Sequence, residues 1–199
     1  MPPTPAAVPP DRVDAGRVIL RRVRASDASA IAAAVSASLD HLRPWMPWAT
    51  PEAAERGNQL VRVAEADHNW ESGLGYVYSV LTADHGTLVG EIALHLRDSG
   101  QTAELGYWIA AGQARRGYAT LAAEAMTSVA LALPGVTRAE IHCDAANAAS
   151  AAVARKLGYR LDRIEERRAE APGESGRLMV WLRDRQSPGE HWAAPGAAQ

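Results

Sequence analysis

Apolar positions along this chain alternate between two periods, and the switches between them outline the elements. Val18, Leu20 and Val23 suggest a first strand beginning at Arg17, and Ser26-Asp27 offers an N-cap to a helix over 28–39. A second helical stretch runs from Pro51, a favoured first-turn residue, to Asn69. Strand-like runs at 76–82 and 87–97 are joined by Ala-Asp-His-Gly, a hairpin signal, and a second hairpin crosses Asp98-Ser-Gly-Gln101 into Glu104-Leu-Gly-Tyr-Trp-Ile109. An Ala-rich helix then opens at Arg115-Arg-Gly-Tyr-Ala-Thr120. A strand at 136–143 and a short helix over 147–159, closed by Gly158, follow. The last two strands, 159–168 and 177–183, are linked by the turn-rich Ala-Pro-Gly-Glu-Ser-Gly. This order predicts an α/β domain with a mixed, mostly antiparallel sheet.

Alternation also places polar side chains on a face. In the 87–97 run Leu88, Ile92, Leu94 and Leu96 are apolar, which leaves Glu91 and His95 on the opposite side. With the turn centred on Ser99-Gly100, His95 lies across from Glu104 and Glu91 across from Trp108, so the four share one face. A slip of one residue would dissolve that cluster. Either a catalytic group or an ordinary cross-strand pair is consistent with it.

Composition bounds the class. The 199 residues are 47% hydrophobic and 22% charged, which suits one globular domain over 16–185 with a tail at each end, 1–15 being half proline near its start and 186–199 rich in Pro, Gly and Ala. A net charge of -2 argues against general DNA binding, which needs a basic face. The single cysteine, Cys143, excludes an internal disulfide framework and a Cys-based zinc site, and suits a reducing compartment. With no apolar run of membrane-spanning length and no signal-peptide core, the expected location is cytoplasmic.

The strand at 104–109 feeding a Gly-containing turn at a helix start is a place to hold phosphates. First-turn backbone N–H groups lack intrahelical partners, and the helix dipole adds partial positive charge. Arg115 and Arg116 add charge, Gly117 permits close approach, and Tyr118, Ala119 and Thr120 contribute the first amides. A loop with a plain cap would read the same way. Asn147, Ser150 and Ala154 form one stripe of the later helix, where Asn and Ser can cap the helix or face a ligand.

Taken together, the strand, phosphate turn, helix, strand and then Asn-x2-Ser-x6-Leu-Gly-Tyr resemble the GNAT superfamily of acetyl-CoA-dependent N-acetyltransferases over about residues 16–184. Glu-Leu-Gly-Tyr-Trp and the Asn147/Ser150 pair are similar to its ribosomal-protein N-terminal acetyltransferase (RimJ/RimL) branch. Two positions depart from the pattern: Ala114 stands where the superfamily usually has Gln or Arg, and Ala154 where many members carry a Tyr.

The resemblance implies a cleft between two central strands that takes acetyl-CoA as co-substrate. Its pyrophosphate would rest on the amides of 115–120, and Asn147 would help hold the pantetheine arm. Ser150 would stand near the departing sulfur. A bulge near Ile109 or Ala110, beside Trp108, would free an N–H for the oxyanion. The acceptor is a primary amine, with a protein N-terminus as the branch-level expectation and a small-molecule amine as the alternative; a non-catalytic acyl-CoA-binding module is the reading from another class. Glu104 is the first candidate for the base that takes the amine proton, with His95 or Glu91 competing. No metal is implied, and a homodimer is left open. The segment His41-Leu-Arg-Pro-Trp-Met-Pro-Trp48 either lines the acceptor pocket or roofs the core.

Overall fold

The computed structural model describes residues 8–185; the tail segments 1–7 and 186–199 lie outside the described residues. Eight strands, β1 (Arg12–Ala15), β2 (Val18–Arg22), β3 (Gly75–Thr82), β4 (Leu88–Arg97), β5 (Thr102–Ile109), β6 (Arg138–Asp144), β7 (Arg160–Glu166) and β8 (Arg177–Asp184), form one sheet. Their spatial order is β1-β2-β3-β4-β5-β6-β8-β7. Only β5 and β6 run parallel; every other neighbouring pair is antiparallel. The helices are α1 (Ala28–Ser36), α2 (Leu39–Leu42), α3 (Arg56–Glu71), α4 (Tyr118–Ala132) and α5 (Ala148–Lys156).

Alternation on the strands gives each face its own core. On one face Tyr78, Ile92, Leu94, Leu105 and Ile141 pack against Ala122, Ala123, Met126 and Ala130 of α4. The small side chains of α4 let the helix lie close to the sheet. On the other face Trp108 and Ala110 meet Ile31 and Val35 of α1 and Val63 of α3.

Several boundaries differ from the sequence expectation. Residues 12–15, expected in the N-terminal tail, form β1 and pair with β2 through a turn in which Gly16 has φ +72°. Asp27 stands at the N-cap of α1, but its side chain does not bond the first-turn amides. Its carboxylate turns into the sheet, where it accepts from Arg21 (2.7 Å), Ser79 (3.0 Å) and the Arg24 amide (2.9 Å). The helix expected from Pro51 starts at Arg56, after a 3-10 turn at Glu52–Ala54. The long final hairpin is as expected, but its second strand lies inside its first: β8 sits between β6 and the edge strand β7.

The β4–β5 hairpin follows the anticipated register, with His95 opposite Glu104 and Glu91 opposite Trp108. No bulge interrupts it at Ile109 or Ala110: the ladder reaches Gly90↔Ile109 without a shift, and the Ala110 N–H donates to the Val89 carbonyl at 2.8 Å. The bulged backbone expected there is therefore corrected to a regular strand.

Candidate active site

The parallel pairing of β5 and β6 is short. It covers Thr102↔Arg138 through Leu105↔Ile141, after which β5 continues to Ile109 and β6 to Asp144 without partners in each other. The strands splay, and the gap opens into a cavity of about 290 Å³. Because consecutive side chains point to opposite faces, both faces of the sheet line it. Leu105, Tyr107, Cys143, Asn147 and Ser150 contribute from the α4/α5 side, and Glu104, Gly106, His142, Trp45, Met46 and Pro47 from the other. Alternation from the Ala110–Val89 bond also turns the amides of Tyr107 and Ile109 away from β4 and toward the gap.

On the α5 side Asn147 is the N-cap of α5, its Oδ1 accepting from the Ser150 amide at 3.1 Å. Capping does not withdraw them from the gap, since both residues also line the cavity. The Ser150 hydroxyl lies 3.0 Å from the Tyr107 hydroxyl. Burial pushes the Tyr107 hydroxyl above its ordinary range, so it is present as a proton donor. Sequence reasoning missed Tyr107. Position 154, where many members of the resembled family carry a Tyr, is a fully buried Ala, and the phenol at the cavity comes from β5. Cys143 stands beside them at the end of β6, its thiol pushed up by burial and held protonated.

At the head of α4 lies the turn expected to hold phosphates. Arg115 has φ +61° and Gly117, the N-cap, φ +83°; no side chain caps the helix. A third arginine, unseen in the local sequence, joins them: Arg17, from the β1–β2 turn, donates to the Arg116 carbonyl at 2.9 Å and lies over the Tyr118 ring. Arg115, Arg116 and Gly117 are exposed, and Tyr118, Ala119 and Thr120 half-exposed.

The four-residue face derived from the hairpin register divides. Glu104 lines the cavity. Glu91 does not: it is buried beneath α3, paired with Arg62 at 2.6 Å, and it accepts from the Trp108 indole N–H at 3.1 Å. Burial raises its carboxyl above the usual range although Arg62 opposes the shift. Trp108 faces the same core, edge-on to Trp48, so only its backbone is near the gap. His95 is half-buried against Gly75, and burial lowers its imidazole. Neither His95 nor Glu91 lines the cavity. Ala110 is likewise packed in the core with its amide engaged.

Two further groups line the cavity from the α1/α3 face. Glu104 is bound by Arg97 at 2.9 Å and faces His142. The 41–48 segment divides: Leu42 is buried and Trp48 packs on Trp108, while Trp45, Met46 and Pro47 wall the cavity. Opposite, the β7–β8 connection is clamped by Asp144, which accepts from Ser175 and Gly176 and whose carboxyl is lowered to about 2. The same connection donates from Gly173 to the Pro44 carbonyl at 2.9 Å; a Cβ at Gly173 would fall 2.6 Å from that oxygen. Among the described residues no cluster suited to a metal ion is present, and no helix is long and apolar enough to cross a membrane.

Comparison with known proteins gives these features a family. The acetyltransferase (GNAT) domain family matches residues 17–160. No curated protein matches the chain. Among solved structures, RimL, a ribosomal L7/L12 alpha-N-protein acetyltransferase in complex with coenzyme A, is similar at a TM-score of 0.80 and 17% identity, over 87% of this chain and 97% of that one. Mycobacterium smegmatis RimJ, in complex with CoA-disulfide, is similar at 0.82 and 23% identity, over 92% and 93%. The microcin C7 self immunity acetyltransferase MccE, in complex with acetyl-CoA and AMP, is similar at 0.80 and 15% identity, over 88% and 97%.

Proposed function

This chain belongs to the acetyltransferase (GNAT) family and is an acetyl-CoA-dependent N-acetyltransferase, and we propose that its acceptor is the N-terminal α-amine of a protein, with ribosomal proteins the first candidates. The observation that carries this reading is the cavity between the splayed strands, which admits a thioester from one face and an amine from the other. Three RimL/RimJ-type similarities support the choice of acceptor, including a structure described as modifying the N-terminal serine of L7/L12. Cytoplasmic residence goes with that acceptor.

Bound acetyl-CoA supplies an activated acyl carbon and a thiolate leaving group. In this reading the first-turn amides of α4, with Arg17, Arg115 and Arg116 around them, hold the pyrophosphate, and Tyr107 offers its gap-facing amide to the pantetheine arm. The Ile109 amide takes the oxyanion role, since that of Ala110 is already bonded to Val89. Glu104 accepts a proton from the amine, and the Ser150–Tyr107 hydroxyl pair donates toward the sulfur. Asn147 fixes Ser150 by capping α5.

The test is transfer of labelled acetyl groups from acetyl-CoA into a desalted bacterial protein extract and, in parallel, into its small-molecule fraction. Label on protein N-termini is the expected result. Label confined to small molecules would move the acceptor to that class. Binding without transfer to either would demote the chain to an acyl-CoA-binding module.

A further inference from the structure

We propose that His142, held by Glu140, accepts the proton of the incoming amine, with Glu104 as the second acceptor facing the same point. The inference rests on the acetyltransferase reading above and deepens it. Parallel pairing aligns Glu104 with Glu140, so the two share a face, and alternation adds His142 to it. The last β5–β6 pair is Leu105↔Ile141, so His142 is the first residue of β6 beyond it and stands where the gap opens. It lines the cavity and is half-buried.

Its two ring nitrogens have different neighbours. Nε2 lies 2.8 Å from Oε2 of Glu140, a carboxylate whose side chain is only 9% exposed. A carboxylate can only accept, so it keeps the hydrogen on Nε2 and leaves a lone pair on Nδ1. Nδ1 lies 3.8 Å from Oε1 of Glu104. That is too far for a direct bond, and it leaves room for both atoms to receive hydrogens from one nitrogen placed between them.

The reaction needs two acceptors. An ammonium sheds one proton to become a nucleophile. The N–C bond then forms, the C–S bond breaks with its electron pair on sulfur, and the new amide nitrogen sheds a second proton. His142 takes the first; Glu104 takes the second and passes it to solvent, while Ser150 and Tyr107 stabilise the thiolate. The charged groups around the imidazole leave this assignment intact. Arg97 is occupied with Glu104, and Arg138 lies 3.9 Å from Glu140. Arg163 of β7 is bound to Asp162 and Glu165, Arg167 is bound to Glu174, and Glu170 reaches the cavity wall. β8 presents only Val180 opposite His142.

Thiol release from acetyl-CoA with short peptides bearing N-terminal serine or alanine provides the assay. His142→Asn is expected to lower kcat about 100-fold with the acetyl-CoA KM within about twofold. Glu140→Gln is expected to lower kcat about tenfold at an unchanged acetyl-CoA KM and to mix the two ring tautomers, because the carboxylate no longer holds the hydrogen on Nε2. An unchanged kcat in His142→Asn would overturn the proposal. Nitrogen NMR of the ring gives a readout that needs no acceptor: wild type should carry hydrogen on Nε2, and a dominant Nδ1–H tautomer would also overturn it. If no peptide is acetylated while the tautomer is as expected, the acceptor class is wrong and the His142 assignment stands.

Discussion

Arg62→Met separates structural from catalytic carboxylates. The substitution keeps the aliphatic stem of Arg62 but removes the guanidinium that pairs with Glu91 at 2.6 Å. The Glu91 side chain is 6% exposed and retains only the Trp108 indole N–H, so a buried charge is left without its counter-ion. Breaking a buried pair in this way costs about 3–5 kcal/mol; with Arg62 itself 35% exposed, the low end, about 3 kcal/mol, applies. For a chain of this size that is a fall in Tm of about 6–12 °C. Its pH dependence has a definite sign. Burial raises the folded carboxyl above its unfolded value, so the folded state holds more protons in the window between the two, and stability falls as pH rises through that window. Losing Arg62 widens the window, so the deficit relative to wild type should be larger at neutral pH than at about pH 5. Calorimetry on both proteins at the two pH values measures it, and kcat well below the melting temperature should stay close to wild type. An unchanged Tm, or a deficit equal at both pH values, would refute the buried-charge account; a collapse of kcat in the folded variant would return Glu91 to the chemistry.

Glu104→Gln should lower kcat about 100-fold while the acetyl-CoA KM holds, as read by thiol release with a saturating acceptor. Arg17→Ala removes the bond to the Arg116 carbonyl and should raise the acetyl-CoA KM roughly three- to tenfold with kcat unaltered; equal KM values would remove Arg17 from the phosphate turn. Gly173→Ala forces a methyl against the Pro44 carbonyl, and the expected signature is a higher acceptor KM with an unchanged acetyl-CoA KM.

Local chemistry made much of this legible in the sequence. The Asp98-Ser-Gly turn specified the β4–β5 register, and Gly117 and Asn147 marked the starts of the helices that flank the gap. What could not be read depends on contacts distant in the chain. Glu91 was a plausible base until Arg62 of α3, 29 residues away, covered it. Tyr107 meets Ser150 across 43 positions, and Arg17 reaches Arg116 across 99. His142 sat in a strand already noted, but its value depends on β5 and β6 pairing in parallel with Glu104 against Glu140, and a parallel register has no turn to set it. The placement of β8 inside β7 is likewise a choice among sheet edges that no local pattern encodes.

The splay of β5 and β6 has a kinetic consequence. A site open through a sheet has two doors, and neither reactant stands in the other's doorway. Binding order should therefore be random: initial-rate lines in double-reciprocal form intersect, coenzyme A competes with acetyl-CoA alone, and the acetylated product departs without waiting for the thiol. A compound that joins both substrates would have to run through the sheet itself, with its linker lying between Glu104 and Ser150.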